Sequence, residues 1–127
     1  MNIILLFGAI LGLSSMMMAA YVDHSLALYL TDKSLSGVLT AVRYHQLYAI
    51  VVAMIGLSLP LQFNNRIKLW LSRAAYLFAI GVLFFSFSIY FSIIWGVVRI
   101  IYLTPIGGVL LMIGWACLIR SALLRMK

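Results

Sequence analysis

Acidic side chains are nearly missing from this sequence. Asp23 and Asp32 are the only two, against nine lysines and arginines. None of these charges stands at the middle of a long apolar run. A charged residue at mid-bilayer depth is the usual mark of proton-coupled transport, so its lack argues against an antiporter of the small multidrug-resistance kind. Cysteine is equally scarce. Cys117 stands alone, which excludes an intramolecular disulfide and any cysteine-based zinc site. Charged residues make up only 9% of the chain, while 66% of its 127 residues are hydrophobic. A soluble domain of this length cannot bury so much apolar surface and needs far more charge outside. The solvent is therefore lipid, and the length suits one integral membrane domain, residues 1–127.

What is present is arranged as four apolar runs of about 20 residues or more, the length that spans a bilayer as a helix. They cover about 3–22, 38–59, 67–95 and 105–124, and they are continuous instead of alternating, which argues against a barrel. The expected fold is an all-α bundle of four transmembrane helices. The second run stops at Pro60, which cannot donate a backbone hydrogen bond. No basic residue precedes the first run, and it is long for a signal peptide, so it is expected to stay as an uncleaved helix.

The net charge of +7 comes from residues at the ends of these runs. That placement suits anionic lipid headgroups and not nucleic acid. The segment from Asp23 to Arg43 is neutral in balance, with Lys33 and Arg43 against Asp23 and Asp32. Arg66, Lys68 and Arg73 follow Pro60, only Arg99 lies in the third loop, and Arg120, Arg125 and Lys127 end the chain. Lysine and arginine gather on the cytoplasmic side. Both termini and the middle loop are thus expected inside, the first and third loops outside. In the first outer loop, Leu35, Val38, Leu39 and Val42 have helical spacing, with Thr31 or Ser34 as the cap. A short interfacial helical segment is expected there, with Ser25 to Leu30 lying on the lipid surface. Trp70, Trp95 and Tyr102 suit interfacial belts.

In lipid, small residues let helices approach and so decide packing. Each run carries a stripe of them. The first has Gly8, Gly12, Ser15 and Ala19; the second has Ala41, Ala49, Ala53 and Gly56. The third has Ser72, Ala75, Ala79 and Ser86; the fourth has Gly107, Gly114, Cys117 and Ser121. Gly108 adjoins the last stripe. An intramolecular bundle is expected, with one stripe left to serve a homo-oligomer or a membrane-protein partner. His45 falls one turn after Ala41 and one before Ala49, on the packing stripe. Tyr44 and Tyr48 lie about 100° away, suited with Arg43 to an interfacial belt. Continuing the third stripe past Ser86 reaches Tyr90.

"TAVRYHQLYAI" (40–50), "FSFSIY" (85–90) and "TPIGGVLLMIGW" (104–115) together resemble the small membrane proteins of the domain of unknown function 423 family. That family includes YgdD-like and YwdK-like bacterial proteins and transmembrane protein 256. The resemblance covers nearly the whole chain. It implies a four-helix protein of the bacterial inner membrane with no assigned activity. In "AAYVDH" (19–24), His24 keeps a family position while Asp23 replaces a small residue. Tyr44 is kept, whereas His45 and Tyr48 stand at the family's glutamine and histidine positions.

With the expected orientation, Asp23, His24, Arg43, Tyr44, His45, Tyr48, Ser86, Ser88, Tyr90 and Thr104 converge on one outer-leaflet polar cluster. Asp23 is expected to pair with Arg43. Thr104 is expected to cap the fourth helix, with Pro105 in its first position. His24 and His45 have the chemistry of acid and base, but no serine or cysteine nucleophile has an evident base partner. Met16, Met17 and Met18 precede His24, yet consecutive residues point to different sides of a helix and make a poor copper cage. No catalytic residue, metal or cofactor is expected. The expected role is structural or interactive. The alternative is lipid or small-molecule binding, with permeation, at the outer cluster.

Overall fold

The computed structural model describes residues 1–125. Lys127 and the side chain of Arg125, both counted in the C-terminal basic group, lie outside that description. All regular structure in the described residues is helical. Four helical stretches, of 26, 30, 30 and 27 residues, are long and apolar enough to cross a membrane.

Helix α1 runs Ile3–His24. Asn2 opens it, accepting from the Leu5 N–H through Oδ1 and donating from Nδ2 to the Gly56 carbonyl at 2.7 Å. The first loop holds a 3-10 turn, Leu26–Leu28, with Leu26 buried and Leu28 and Tyr29 exposed. Helix α2 then begins early, at Asp32, and runs to Ser58. Thr31 is the cap, accepting from the Ser34 N–H. The first turns of α2 are thus the interfacial segment expected from the apolar spacing. Pro60 does not stop the chain abruptly: Leu59–Leu61 continue as a 3-10 turn. Asn64 caps α3, Asn65–Val82, by accepting from the Arg66 and Ile67 N–H groups.

The third span is not one regular helix. Between α3 and α4 (Ser88–Ile94) lies a π-helical segment, Leu83–Phe87. A regular α-helix rotates residues four apart by about 40° per step. The wider π turn keeps Val82, Ser86 and Tyr90, all buried, on one face. The fourth span presses on this segment. A Cβ on Gly107 would strike the Phe85 backbone nitrogen and come within 2.7 Å of the Gly81 carbonyl oxygen. Gly96, at φ +69°, ends the third span in a conformation that favours glycine. A third 3-10 turn, Val98–Tyr102, leads directly into α5, Leu103–Arg125.

Two helix pairs pack with backbones almost touching. A Cβ on Gly8 would lie 2.5 Å from the Ala53 nitrogen, and one on Gly56 would lie 2.6 Å from the Leu5 nitrogen. These contacts lock α1 to α2. Gly107 and Gly81 do the same between the third span and α5, and Gly114 lies under the Phe78 ring. Gly12 and Gly108 are different: a Cβ on Gly12 would meet nothing within 4 Å, and one on Gly108 only Phe85 Cδ2 at 4.0 Å. Helices α1 and α3 touch only sparingly. Buried apolar side chains form two clusters, one around Tyr48, Val52 and Phe78, the other around Val22, Val38 and Ile89. The outside is covered with exposed Leu, Ile, Phe and Met, as a lipid solvent requires.

Candidate functional site

Between the two apolar clusters lies a polar layer centred on His45, the midpoint of α2. Its side chain is 1% exposed. Nδ1 lies 3.3 Å from the Tyr90 hydroxyl on α4, and Nε2 lies 3.1 Å from the Ser14 hydroxyl on α1. Phe87 of the π segment packs against the ring at 5.1 Å. Ser14 stands beside the midpoint of α1, so the imidazole sits midway along the first span. This puts one titratable side chain in the middle of the span, where the sequence offers no Asp, Glu, Lys or Arg.

The neighbouring carbonyl orients this chain of groups. The Ser14 hydroxyl reaches the Leu11 carbonyl at 3.1 Å, and a carbonyl can only accept. Ser14 therefore donates to Leu11 and accepts from His45 Nε2–H. Nδ1 is then bare and accepts the Tyr90 O–H. The opposite tautomer would leave the Tyr90 proton without an acceptor in a fully buried place.

The sequence alone pairs no serine with a base, yet Ser14 is at hydrogen-bond distance from His45. A serine nucleophile needs a bare Nε2 to take its proton. With Tyr90 donating to Nδ1, Nε2 would carry the hydrogen and Ser14 would accept it. The N–H groups around Ser14 are committed to helix α1.

The remaining polar groups also join helices. Ser86 Oγ donates to the Ala41 carbonyl at 2.8 Å, tying the π segment to α2 one turn before His45. Ser88 Oγ donates to the Phe85 carbonyl at 2.9 Å and lies 2.6 Å from Thr104 Oγ1, so Thr104 is the donor of that pair. Thr104 was expected to cap the fourth helix. It does not, because the preceding 3-10 turn runs straight into α5 with the Leu103 N–H already bonded to the Ile100 carbonyl. Its hydroxyl is free to bridge to Ser88 instead. Tyr48, expected in an interfacial belt, is 4% exposed and accepts from Trp115 Nε1–H at 2.9 Å. Tyr44 stays at the surface and stacks on Phe85 with ring centroids 4.6 Å apart.

Asp23, His24 and Arg43 are not part of this layer. All three are exposed. Asp23 and Arg43 line one groove of about 250 Å³ at the outer end of α1 and α2, yet among the described residues no ion pair joins them. Met16 and Met17 face outward. Among the described residues, no three His, Cys, Asp or Glu side chains gather as a metal site.

Four apolar helices tied together inside the bilayer by buried hydroxyls and one imidazole define a small multi-pass α-helical membrane protein. The chain belongs to the family described as protein of unknown function DUF423, whose profile matches residues 18–108. It is 32% identical over 123 residues to a UPF0382 membrane protein of Staphylococcus epidermidis, with 97% of each chain covered. A UPF0382 membrane protein of Haemophilus influenzae is 34% identical over 110 residues, covering 87% of this chain and 85% of that one. The UPF0382 inner membrane protein YgdD of Escherichia coli K12 is 27% identical over 119 residues, covering 94% and 88%. No solved structure matches the chain. The protein is thus a multi-pass inner membrane protein. The family match takes in every residue of the polar layer except Ser14 and Trp115.

Proposed function

We propose that this protein has a non-enzymatic role as an interaction or assembly module of the inner membrane. The observation that carries this reading is the internal closure of its polar layer. Among the described residues, no buried side-chain nitrogen or oxygen lacks a hydrogen-bond partner. His45, Ser86, Ser88 and Thr104 each bond to another helix of the same chain, so they act as locks between spans. Buried polar groups committed in this way fix one packing of the helices. The imidazole tautomer, which withholds a base from Ser14, supports the same view.

The surface that remains for a partner lies on α1 and α2. Gly12, Ala9, Met16, Ile50 and Ala53 line a groove of about 470 Å³ that faces the lipid. With no Cβ at Gly12, a neighbouring helix of another chain or of a second copy can approach closely there. The test is a photo-crosslinking amino acid placed at Met16 or Ile50 in intact membranes, with Ile119 on α5 as the control. One recurrent protein adduct, or a dimer, from the groove positions alone is the expected result. Lipid adducts alone from all three positions would overturn the proposal.

A second reading, small-molecule or lipid-headgroup binding at the outer face, draws on one observation. The groove holding Asp23, Arg43 and Gln46 presents both signs of charge at the membrane surface.

A further inference from the structure

The sparse contact between α1 and α3 leaves a seam between the two tightly packed helix pairs. Two cavities lie along it and share Tyr76. One, of about 530 Å³, is apolar and runs from Tyr76 past Ala79 to Leu83 and Phe87. The other, of about 460 Å³, runs from Tyr76 to Lys68 and Pro60 at the opposite end. The volumes fall in the range of small-ligand sites. The seam opens to the bilayer, so its occupant must itself be a membrane component.

Its polarity is graded in one direction. Lys68 is exposed at the interface end, beside Arg66. Tyr76 stands at the junction, and among the described residues its hydroxyl has no hydrogen-bond partner. A hydroxyl without a partner in hydrocarbon is costly. Beyond Tyr76 the lining is apolar except for Ser14, and the surface it presents is apolar. The length fits as well. Lys68 and Leu83 are separated by about 22 Å of helix at about 1.5 Å per residue. One leaflet with its headgroup layer is about 20–22 Å deep.

We propose that the α1/α3 seam is a binding site for one anionic glycerophospholipid of the leaflet that Lys68 faces. The phosphate sits at Lys68, an ester carbonyl accepts from the Tyr76 hydroxyl, and one acyl chain fills the groove to Leu83 and Phe87. Charge, hydrogen bonding and depth each select this ligand over a free alkyl chain, which leaves Lys68 and Tyr76 unserved. This site is on the opposite side of the membrane from Asp23 and Arg43 and does not depend on the interaction role proposed above.

The experiment is native mass spectrometry of the full chain, delipidated and then reloaded with phosphatidylglycerol or with phosphatidylcholine of the same acyl chains. Wild type is expected to hold one phosphatidylglycerol and to prefer it over phosphatidylcholine. Lys68→Gln should lower phosphatidylglycerol retention about fivefold, the effect of roughly 1 kcal/mol per basic residue at a lipid surface. Tyr76→Phe should weaken both lipids alike, since both carry the ester. Ala79→Phe, which fills the groove while leaving Lys68 and Tyr76 in place, should abolish specific retention. Gel filtration confirms that each variant is folded, and the two exposed positions, Lys68 and Tyr76, give results even if Ala79→Phe is unstable. Equal retention of the two lipids by wild type, or phosphatidylglycerol retention unchanged in Lys68→Gln and Tyr76→Phe, would overturn the proposal.

Discussion

The Nδ1 atom of His45 and the hydroxyl of Tyr90 stand 3.3 Å apart and join α2 to α4 inside the bilayer. Because Tyr90 donates, the ring is expected to be neutral with its hydrogen on Nε2, facing Ser14. Nitrogen-15 spectra of the labelled imidazole in bicelles read this directly. A signal from an Nδ1–H tautomer in the wild-type protein would contradict the donor order. Tyr90→Phe removes the donor to Nδ1 and should lower unfolding stability by about 1 kcal/mol, the scale of one interhelical hydrogen bond in lipid. His45→Ala also leaves a cavity beside Phe87 and should cost about 3 kcal/mol.

Gly8 and Gly12 form one small-x-x-x-small pair in the sequence but have unlike surroundings. A methyl on Gly8 meets the Ala53 backbone at 2.5 Å, and backbone cannot yield as a side chain can. Gly8→Ala should therefore destabilise the monomer by about 1–3 kcal/mol. Gly12→Ala meets open space and should be neutral, or stabilising by up to about 1 kcal/mol through helix propensity. Unfolding in mild detergent distinguishes them. Equal losses for the two substitutions would mean that α1 and α2 cross elsewhere.

The outer charged residues should matter little for stability. Asp23, His24 and Arg43 are exposed, and Asp23 and Arg43 do not pair with each other. Asp23→Asn, His24→Ala and Arg43→Gln should each stay within about 0.5 kcal/mol of wild type. Ser86→Ala removes the buried bond to the Ala41 carbonyl and should cost about 0.6–1.7 kcal/mol. A loss at Asp23 as large as that at Ser86 would indicate an ion pair in the membrane.

The number and approximate extent of the spans were legible because they depend on local chemistry: apolar run length and, for the second helix, the cap Thr31; the Asn64 cap of α3 was not read from the sequence. Side-chain partners depend on rotation about a helix, and there the sequence was less informative. The glycine spacing pointed to Ser15, which is buried but bonds its own helix at the Gly12 carbonyl. Ser14, about 100° around the helix, reaches His45. The π segment had no local signal either, since it coincides with the close approach of Gly107 from another helix. Thr104 read as a cap from its own neighbours, and only the 3-10 turn before it redirects its hydroxyl to Ser88. Opposite charge at Asp23 and Arg43 suggested a pair, but water and headgroups serve exposed ions as well as they serve each other.

The basic residues predict the orientation of the bundle. With Cys117 replaced by alanine, a single cysteine at Tyr29 should react with an impermeant maleimide applied outside intact cells. One at Phe63 should react only after the membrane is opened. Both side chains are exposed, at 84% and 99%, so access is set by the side of the membrane and not by burial. The reverse pattern would invert the assignment, and with it the leaflet that Lys68 faces.

Trp115 and Tyr48 give the cleanest test of how much a polar pair contributes between α2 and α5. Trp115 Nε1–H donates to the Tyr48 hydroxyl at 2.9 Å, and Phe78 packs edge-on against the indole at 5.4 Å. Tyr48→Phe leaves the indole N–H without an acceptor in hydrocarbon. Trp115→Phe leaves the Tyr48 hydroxyl orphaned in a place only 4% exposed. Each single substitution therefore carries the lost bond and a desolvated group, whereas the double substitution removes both partners together. The double variant should be less destabilised than the sum of the singles by about 0.6–1.7 kcal/mol. Strict additivity in the unfolding cycle would show that the two groups do not bond in the folded protein.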